Sequence, residues 1–315
     1  MEEGGRTMSK RTMGFVIGHK SNEKRRALLP ADIKGIKNKQ QLVFETGYGK
    51  HFGIEDGTYE QLGCRVAQRD EVLKQAIICD PKIGEADYLD ALKAGQVMFG
   101  WIHTSSNQGK LEPLYGWDIE MIAWERMYQD NRHCFWENNR LAGEAAVMHA
   151  YLLYGKLPEE TKAAVIGRGN VAQGAIRLLE KLGAEVVIYN RHQEKLLQKE
   201  LEQFDVIVNA VKWDKEREDH IISRADLKKL PPHSLIIDIS SDTNGAIETC
   251  RPSEDDESLY EVDSILHYTI DNTPSIFFQT ATKAISKVVA TYVDDLIENQ
   301  SNPVLDAAYV DTKES

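Results

Sequence analysis

The chain has 315 residues, 42% of them hydrophobic, which is enough for two domains with separate cores. Its formal charge of −12 opposes binding to a nucleic-acid backbone. No apolar run approaches the roughly 20 residues that cross a bilayer, and the start lacks a signal peptide's apolar core. Cys64, Cys79, Cys134 and Cys250 are widely spaced with no Cys-x-x-Cys pair, so they read as reduced thiols of a cytoplasmic protein.

Residues 1–10 read as a leader, with Met8 as an alternative start. Apolar runs at 13–17, 42–44, 76–79, 97–102 and 121–124 predict strands, and 30–36, 70–74 and 88–92 the helices between them. Alternation of this kind builds a parallel α/β sheet. This first region has no phosphate-binding turn and is expected to be the substrate domain. Residues 139–155 are apolar over most of their circumference and stop at Gly155, which predicts a buried connecting helix.

A strand at 163–166 then runs into Gly167-Arg168-Gly169-Asn170-Val171-Ala172. In such a Gly-x-Gly-x-x-Ala turn the first glycine permits the tight turn and the second lets backbone approach phosphate. The alanine keeps the helix close to the sheet, so the helix N-terminus presents N–H groups to a pyrophosphate. The match alone is weak, but its context completes a βαβ unit. Val171, Ala175, Leu178, Leu179 and Leu182 follow a helical period, Gly183 ends it, and an apolar strand follows at 186–188.

In NAD-binding folds a carboxylate about 20 residues further on accepts hydrogen bonds from the ribose 2′-hydroxyl. Here that position reads Tyr189-Asn190-Arg191-His192. Arg191 is placed to pair with a 2′-phosphate, so NADP(H) is favoured over NAD(H). Arg168 either reaches phosphate or faces solvent. Strands follow at 206–208 and 235–239, and 285–297 predicts an amphipathic helix that returns to the first domain. The acidic runs 214–219 and 254–257 read as solvated loops.

The expected architecture is α/β, with two Rossmann-like domains built on parallel sheets and an active-site cleft between them. Residues 11–138 with 276–315 form the substrate domain and 139–275 the nucleotide domain. The nine histidines are scattered, so no metal site is expected. There is no Gly-x-Ser-x-Gly elbow and no phosphate loop ending in Gly-Lys-Ser/Thr, which disfavours hydrolase and NTPase chemistry.

Four positions carry a resemblance. Glu23-Lys24-Arg25-Arg26-Ala27-Leu28-Leu29-Pro30 follows the first strand, and Lys82 follows the strand ending at Cys79. His103 closes the strand at 97–102, and Asp238-Ile239-Ser240-Ser241-Asp242 ends a strand beyond the glycine turn. Their order and spacing resemble the alanine dehydrogenase and pyridine-nucleotide transhydrogenase family, which includes the lysine-forming saccharopine dehydrogenases. The likeness covers nearly the whole chain from about residue 13. It is sharpest at 25–33, at 155–175 and at Asp271-Asn272-Thr273-Pro274-Ser275. The short length resembles a branch that condenses pyruvate with the side-chain amine of ornithine or lysine.

That resemblance implies a reductive condensation in which ketone and amine form an imine that NADPH reduces. Arg25 is then the clamp for the oxo-acid carboxylate, Lys82 the donor to its carbonyl oxygen, and His103 the general acid/base. A like charge beside Lys82, from Arg25, would lower its pKa. Asp242 would face the nicotinamide, and Asn272 and Pro274 would form the wall beside it. Arg140 touches cofactor or substrate, or makes a helix-surface salt bridge. The partners implied are a 2-oxo acid and an amino acid, and a homo-oligomer is expected. Alternatives are an alanine dehydrogenase using ammonia, a saccharopine-type enzyme using 2-oxoglutarate, and a non-catalytic NADP(H)-binding sensor.

Overall fold

A computed structural model describes residues 10–214, 216–240, 244–253 and 258–310. Nearly all of the leader, part of the acidic run at 214–219, all of that at 254–257, and Asp242 lie outside the described residues. The chain divides into two compact units, one running up to Phe135 and resuming at Phe278, the other spanning Trp136–Phe277. No helix among the described residues is long and apolar enough to cross a membrane.

The first unit is built on six parallel strands: β1 (Met13–Phe15), β2 (Leu42–Glu45), β3 (Arg65–Ala67), β4 (Ile77–Cys79), β5 (Val97–Gly100) and β6 (Glu120–Ala123). Their spatial order is β3-β2-β1-β4-β5-β6, and Met13 is in register with Leu42 on one side and Ile77 on the other. Both faces are buried, as continuous apolar strands require. Met13, Phe15, Phe44 and Phe99 face one core, while Val43, Ile78, Met98 and Met121 face the other. The first core is closed by the helix Phe278–Glu298, whose Ile285, Val289, Tyr292, Val293 and Leu296 form one apolar stripe. A hairpin of β7 (Tyr128–Gln129) and β8 (Arg132–His133) follows, turning through Asp130 and Asn131, both in the left-handed region.

The helices between these strands are shorter than the pattern predicts, whereas the one predicted at 285–297 is longer and spans Phe278–Glu298. The segment at 30–36 is helical only over Pro30–Ile33, that at 70–74 over Arg69–Val72, and 88–92 is a single 3-10 turn at Leu89–Ala91. One-turn segments gain too few internal hydrogen bonds to propagate, so packing alone sets their length.

The second unit carries β9 (Lys162–Ile166), β10 (Glu185–Tyr189), β11 (Val206–Asn209), β12 (Leu235–Asp238), β13 (Tyr260–Val262) and β14 (Ile265–Tyr268). Their order is β10-β9-β11-β12-β14-β13, parallel except for the edge strand β13. Two helices, Trp136–Tyr154 and Asn170–Lys181, cross at glycines. A Cβ on Gly143 would lie 2.0 Å from the Val171 carbonyl oxygen, and one on Gly174 would lie 1.8 Å from that of Arg140. The helices touch backbone to backbone, which no larger residue permits.

Candidate functional site

In the first sheet β1 connects leftward to β2, whereas β4 lies on its right, so the connections after β1 and β4 diverge at their carboxyl ends. Ligands of open α/β sheets bind in such a crevice. The three basic residues singled out in the first region leave this one edge: Arg25 after β1, Lys82 after β4 and His103 after β5.

Arg25 is 2% exposed, so it is not a surface arginine. Its Nε donates to Glu23 Oε1 at 3.0 Å and its Nη2 to Glu23 Oε2 at 2.6 Å, and the Glu23 side chain is fully buried. The guanidinium also lies 5.0 Å over the Trp101 ring, which Trp124 braces edge-on at 4.9 Å. The connection is locked from behind: the Arg26 N–H donates to Thr282 Oγ1 at 3.0 Å and the Leu29 N–H to Ser286 Oγ at 2.8 Å. Arg25 is therefore a preoriented fork.

Lys82 is buried, at 9% exposure. Its N–H donates to Asp80 Oδ1 at 2.9 Å, and its Nζ donates to Glu85 Oε1 at 2.6 Å. Glu85 also pairs with Lys20. Burial opposes ionisation of Glu85, but the ammonium groups of Lys82 and Lys20 outweigh it and hold the carboxyl below its ordinary value. The immediate charged neighbour of Lys82 is thus this carboxylate. Asp80, fully buried, accepts from Tyr88 Oη at 2.9 Å and is pushed up to about 6, chiefly by burial.

His103 is in the left-handed region at φ 48°, three residues past the end of β5. Its N–H and that of Ile102 both donate to the Glu125 carboxylate, which fixes the bend. Nδ1 lies 3.9 Å from Glu125 Oε1, and the side chain is 40% exposed, so a ligand can reach it.

Glu23, Asp80, Glu85 and Glu125 hold the candidate site residues, and sequence reasoning gave them no role. Glu23 and Glu85 lie within three residues of the cations they hold and were open to a search for charge partners. Glu125 is visible only once β5 and β6 are known to be neighbours.

In the second unit the glycine turn has the geometry a pyrophosphate needs. Gly167 adopts φ 117°, and a Cβ there would sit 3.0 Å from the Ala210 carbonyl oxygen. A Cβ on Gly169 meets nothing within 4 Å, so the space over its backbone is open to a ligand. Asn170 starts the helix, Val171 is partly buried, and Ala172 is buried in the core against the sheet. Arg168 is exposed at the turn. These residues fit a dinucleotide.

At the end of β10, Asn190 shapes the bend: its Nδ2 donates to Gln193 Oε1 at 2.6 Å and its Oδ1 accepts from the His192 N–H at 2.8 Å. Arg191 is left exposed beside His192. Asn272 has φ 60°, and the turn that follows docks on the helix Trp136–Tyr154 through Thr273 Oγ1 to the Ala142 carbonyl at 3.0 Å, with Pro274 buried. Arg140 lies 5.2 Å over the Trp136 ring and 3.6 Å from Glu144. Asn209 Nδ2 holds Asp238 Oδ1 at 2.8 Å, fixing the strand end that leads towards residue 242.

The chain matches two family models, described as alanine dehydrogenase/PNT, N-terminal domain, over residues 18–135, and alanine dehydrogenase/PNT, C-terminal domain, over 189–312. Residues 124–243 also match the NAD-binding domain of D-isomer specific 2-hydroxyacid dehydrogenases. An N(5)-(carboxyethyl)ornithine synthase of Clostridium botulinum is 34% identical over 89% of this chain and 93% of its own. One from Lactococcus lactis subsp. lactis is 31% identical over 88% and 94%. Among solved structures, an L-alanine dehydrogenase superposes with a TM-score of 0.79 at 20% identity, over 95% of this chain and 94% of that one.

Proposed function

We propose, for a chain that belongs to the alanine dehydrogenase/PNT family, that it condenses pyruvate with the side-chain amine of ornithine or lysine and reduces the product with NADPH. It is an oxidoreductase acting on CH–NH bonds with a pyridine-nucleotide cofactor and small-molecule substrates. The name of the relatives supports the finer reading. A carboxyethyl group on N5 of ornithine is what pyruvate leaves after its ketone loses oxygen as water to the amine and gains two electrons. The observation that carries the proposal is the grouping of Arg25, Lys82 and His103 at one sheet edge.

The Arg25 fork, held by Glu23, binds the oxo-acid carboxylate and sets the direction of the carbonyl. Lys82 donates a hydrogen bond to the carbonyl oxygen as negative charge grows there during amine attack. His103 takes the proton released by the attacking nitrogen and returns it to the departing hydroxyl, so that water leaves and the C=N bond forms. Bound reduced nucleotide supplies the hydride that saturates this bond. Gly167, Arg168, Gly169 and Asn170 would hold its pyrophosphate and Arg191 its 2′-phosphate, with Asn272, Pro274 and Asp242 beside the nicotinamide.

The test is to mix the protein with pyruvate and NADPH or NADH, then offer ornithine, lysine or ammonia separately, following nicotinamide absorbance and product mass. Consumption with a diamino acid and a carboxyethyl mass increment supports the proposal. Consumption with ammonia alone would make it an alanine dehydrogenase, whose relatives share the fold. No consumption with any amine, including with 2-oxoglutarate in place of pyruvate, would favour a nucleotide-binding sensor.

A further inference from the structure

Lys82 can donate to a carbonyl that Arg25 orients only if the two side chains keep a fixed offset, yet they leave the sheet from different strands. Asp80 lies between them. It follows β4 directly and is fully buried. Its Oδ1 accepts from the Lys82 N–H at 2.9 Å, and its Oδ2 accepts from Tyr88 Oη at 2.9 Å. Burial pushes it up to about 6, so near neutral pH it is ionised and both oxygens accept. On its other side is the β1 connection: a Cβ on Gly18 would lie 3.0 Å from Oδ1 and 3.3 Å from Oδ2, so the bare backbone of Gly18 lies against the carboxylate.

Tyr88 extends this brace. Arg69 lies 5.0 Å over its ring and donates from Nη1 to the Ile17 carbonyl at 3.0 Å, while the Ile17 N–H donates to Glu45 Oε2 at 2.7 Å. Ile17 and Gly18 open the connection that carries Arg25. Glu85 adds a second tie, because it pairs with both Lys82 and Lys20 of that connection. The turn is also seated on the end of β5: the Gly84 N–H donates to the Trp101 carbonyl at 3.0 Å, and a Cβ on Gly84 would lie 2.0 Å from the Ile102 carbonyl oxygen. Trp101 is the ring under the Arg25 guanidinium. Burying a carboxylate is costly, and this one commits both oxygens to fixing the Lys82 turn.

We propose that Asp80 is a positioning residue, which holds the Lys82 peptide against the β1 connection and so sets the offset between the Lys82 ammonium and the Arg25 fork. This rests on the roles given to Arg25 and Lys82 in the condensation above.

The test is a double-mutant cycle on the full-length protein with pyruvate, the accepted nucleotide and the amine that gives turnover. Asp80→Ala is expected to lower kcat about 10- to 30-fold and to leave the KM values for pyruvate and nucleotide within about twofold, since Arg25 and the glycine turn are untouched. Asp80→Asn keeps an acceptor for the Lys82 N–H and is expected to recover kcat to within about threefold of wild type. Lys82→Met is expected to cost about 100-fold in kcat. Adding Asp80→Ala to Lys82→Met is then expected to change the rate by less than about threefold, because the group that Asp80 positions is gone. Thermal melts establish that each variant is folded in the assay; if Asp80→Ala is not, Tyr88→Phe, which removes only the donor to Oδ2, takes its place in the cycle. Losses that multiply in the double variant, or an unchanged kcat in both Asp80→Ala and Tyr88→Phe, overturn this proposal while the condensation stands. Wild-type turnover in Lys82→Met, or no turnover of any amine by wild type, overturns both.

Discussion

Glu23 and Arg25 form a buried ion pair, and such a pair behaves asymmetrically when one partner is removed. Glu23→Gln removes the buried carboxylate that holds this guanidinium and is expected to cost about 3–5 kcal/mol of stability, read from the urea midpoint. Arg25→Lys keeps a charge but loses the fork. It is expected to lower kcat/KM for the oxo acid about 100-fold, with nucleotide KM unchanged. A comparable loss with 1,4-diaminobutane as amine would place the defect at the oxo acid. At the nucleotide, Arg191→Asp would set a carboxylate where a 2′-phosphate is proposed. The NADPH-to-NADH ratio of kcat/KM is expected to fall by about 10- to 100-fold, the range of a charge-assisted hydrogen bond. An unchanged ratio would remove Arg191 from cofactor selection. These cations were legible from residue type and position in the chain. Their carboxylate partners were less so, because Glu125 reaches His103 across neighbouring strands rather than along the sequence.

The glycines at the helix crossing separate two effects of the same substitution. Alanine in place of glycine within a helix gains about 0.5–1 kcal/mol from backbone entropy. At Gly174 this gain is overwhelmed, since the added Cβ would lie 1.8 Å from a carbonyl oxygen. Gly174→Ala is expected to destabilise by about 1–3 kcal/mol. Gly57, in the helix Asp56–Gln61, has nothing within 4 Å of its Cβ position, so Gly57→Ala is expected to stabilise by about 0.5 kcal/mol. Urea melts of both report the sign. The strands of both sheets were legible wherever an apolar run was long enough to be buried on both faces. The β13–β14 hairpin was not, because its turn is Asp263-Ser264 rather than a glycine-bearing pair, although both residues take positive φ. Short helices were over-read, since an apolar period cannot tell one turn from two.

Across the whole molecule, acid acts in opposite senses on the two units. Asp80 in the first unit is pushed up to about 6 by burial, despite help from the Lys82 N–H, Tyr88 and Arg26 and with Glu23 opposing ionisation. The folded state thus holds this proton more tightly than the unfolded chain, and stability falls as pH rises from about 4 to 6. His267 in the second unit is fully buried, bonded at Nδ1 to the Ile265 carbonyl and at Nε2 to Thr249, and burial pushes it down to about 4. It stays neutral when folded, so its contribution is intact above about 6.5 and lost as pH falls towards 4. Each swing is of the order of 3 kcal/mol at about 1.4 kcal/mol per pH unit. Calorimetry between pH 4.5 and 7.5 is expected to show Asp80→Asn flattening one limb and His267→Gln the other; identical profiles in both variants would contradict the assignment. Arg25 and Lys82 at the first sheet's edge raise a different matter, since each lies beside a carboxylate of its own. Fixed charges that cancel in pairs cast little field beyond contact distance, and Arg25 and Lys82 are buried, so a Debye length that shrinks from about 10 Å at 0.1 M salt to 3 Å at 1 M changes little for them. Ionic strength therefore becomes a probe of how the oxo acid is held: its capture is expected to be nearly indifferent to added salt, and a KM for the oxo acid that climbs steadily with salt would contradict the paired, buried arrangement.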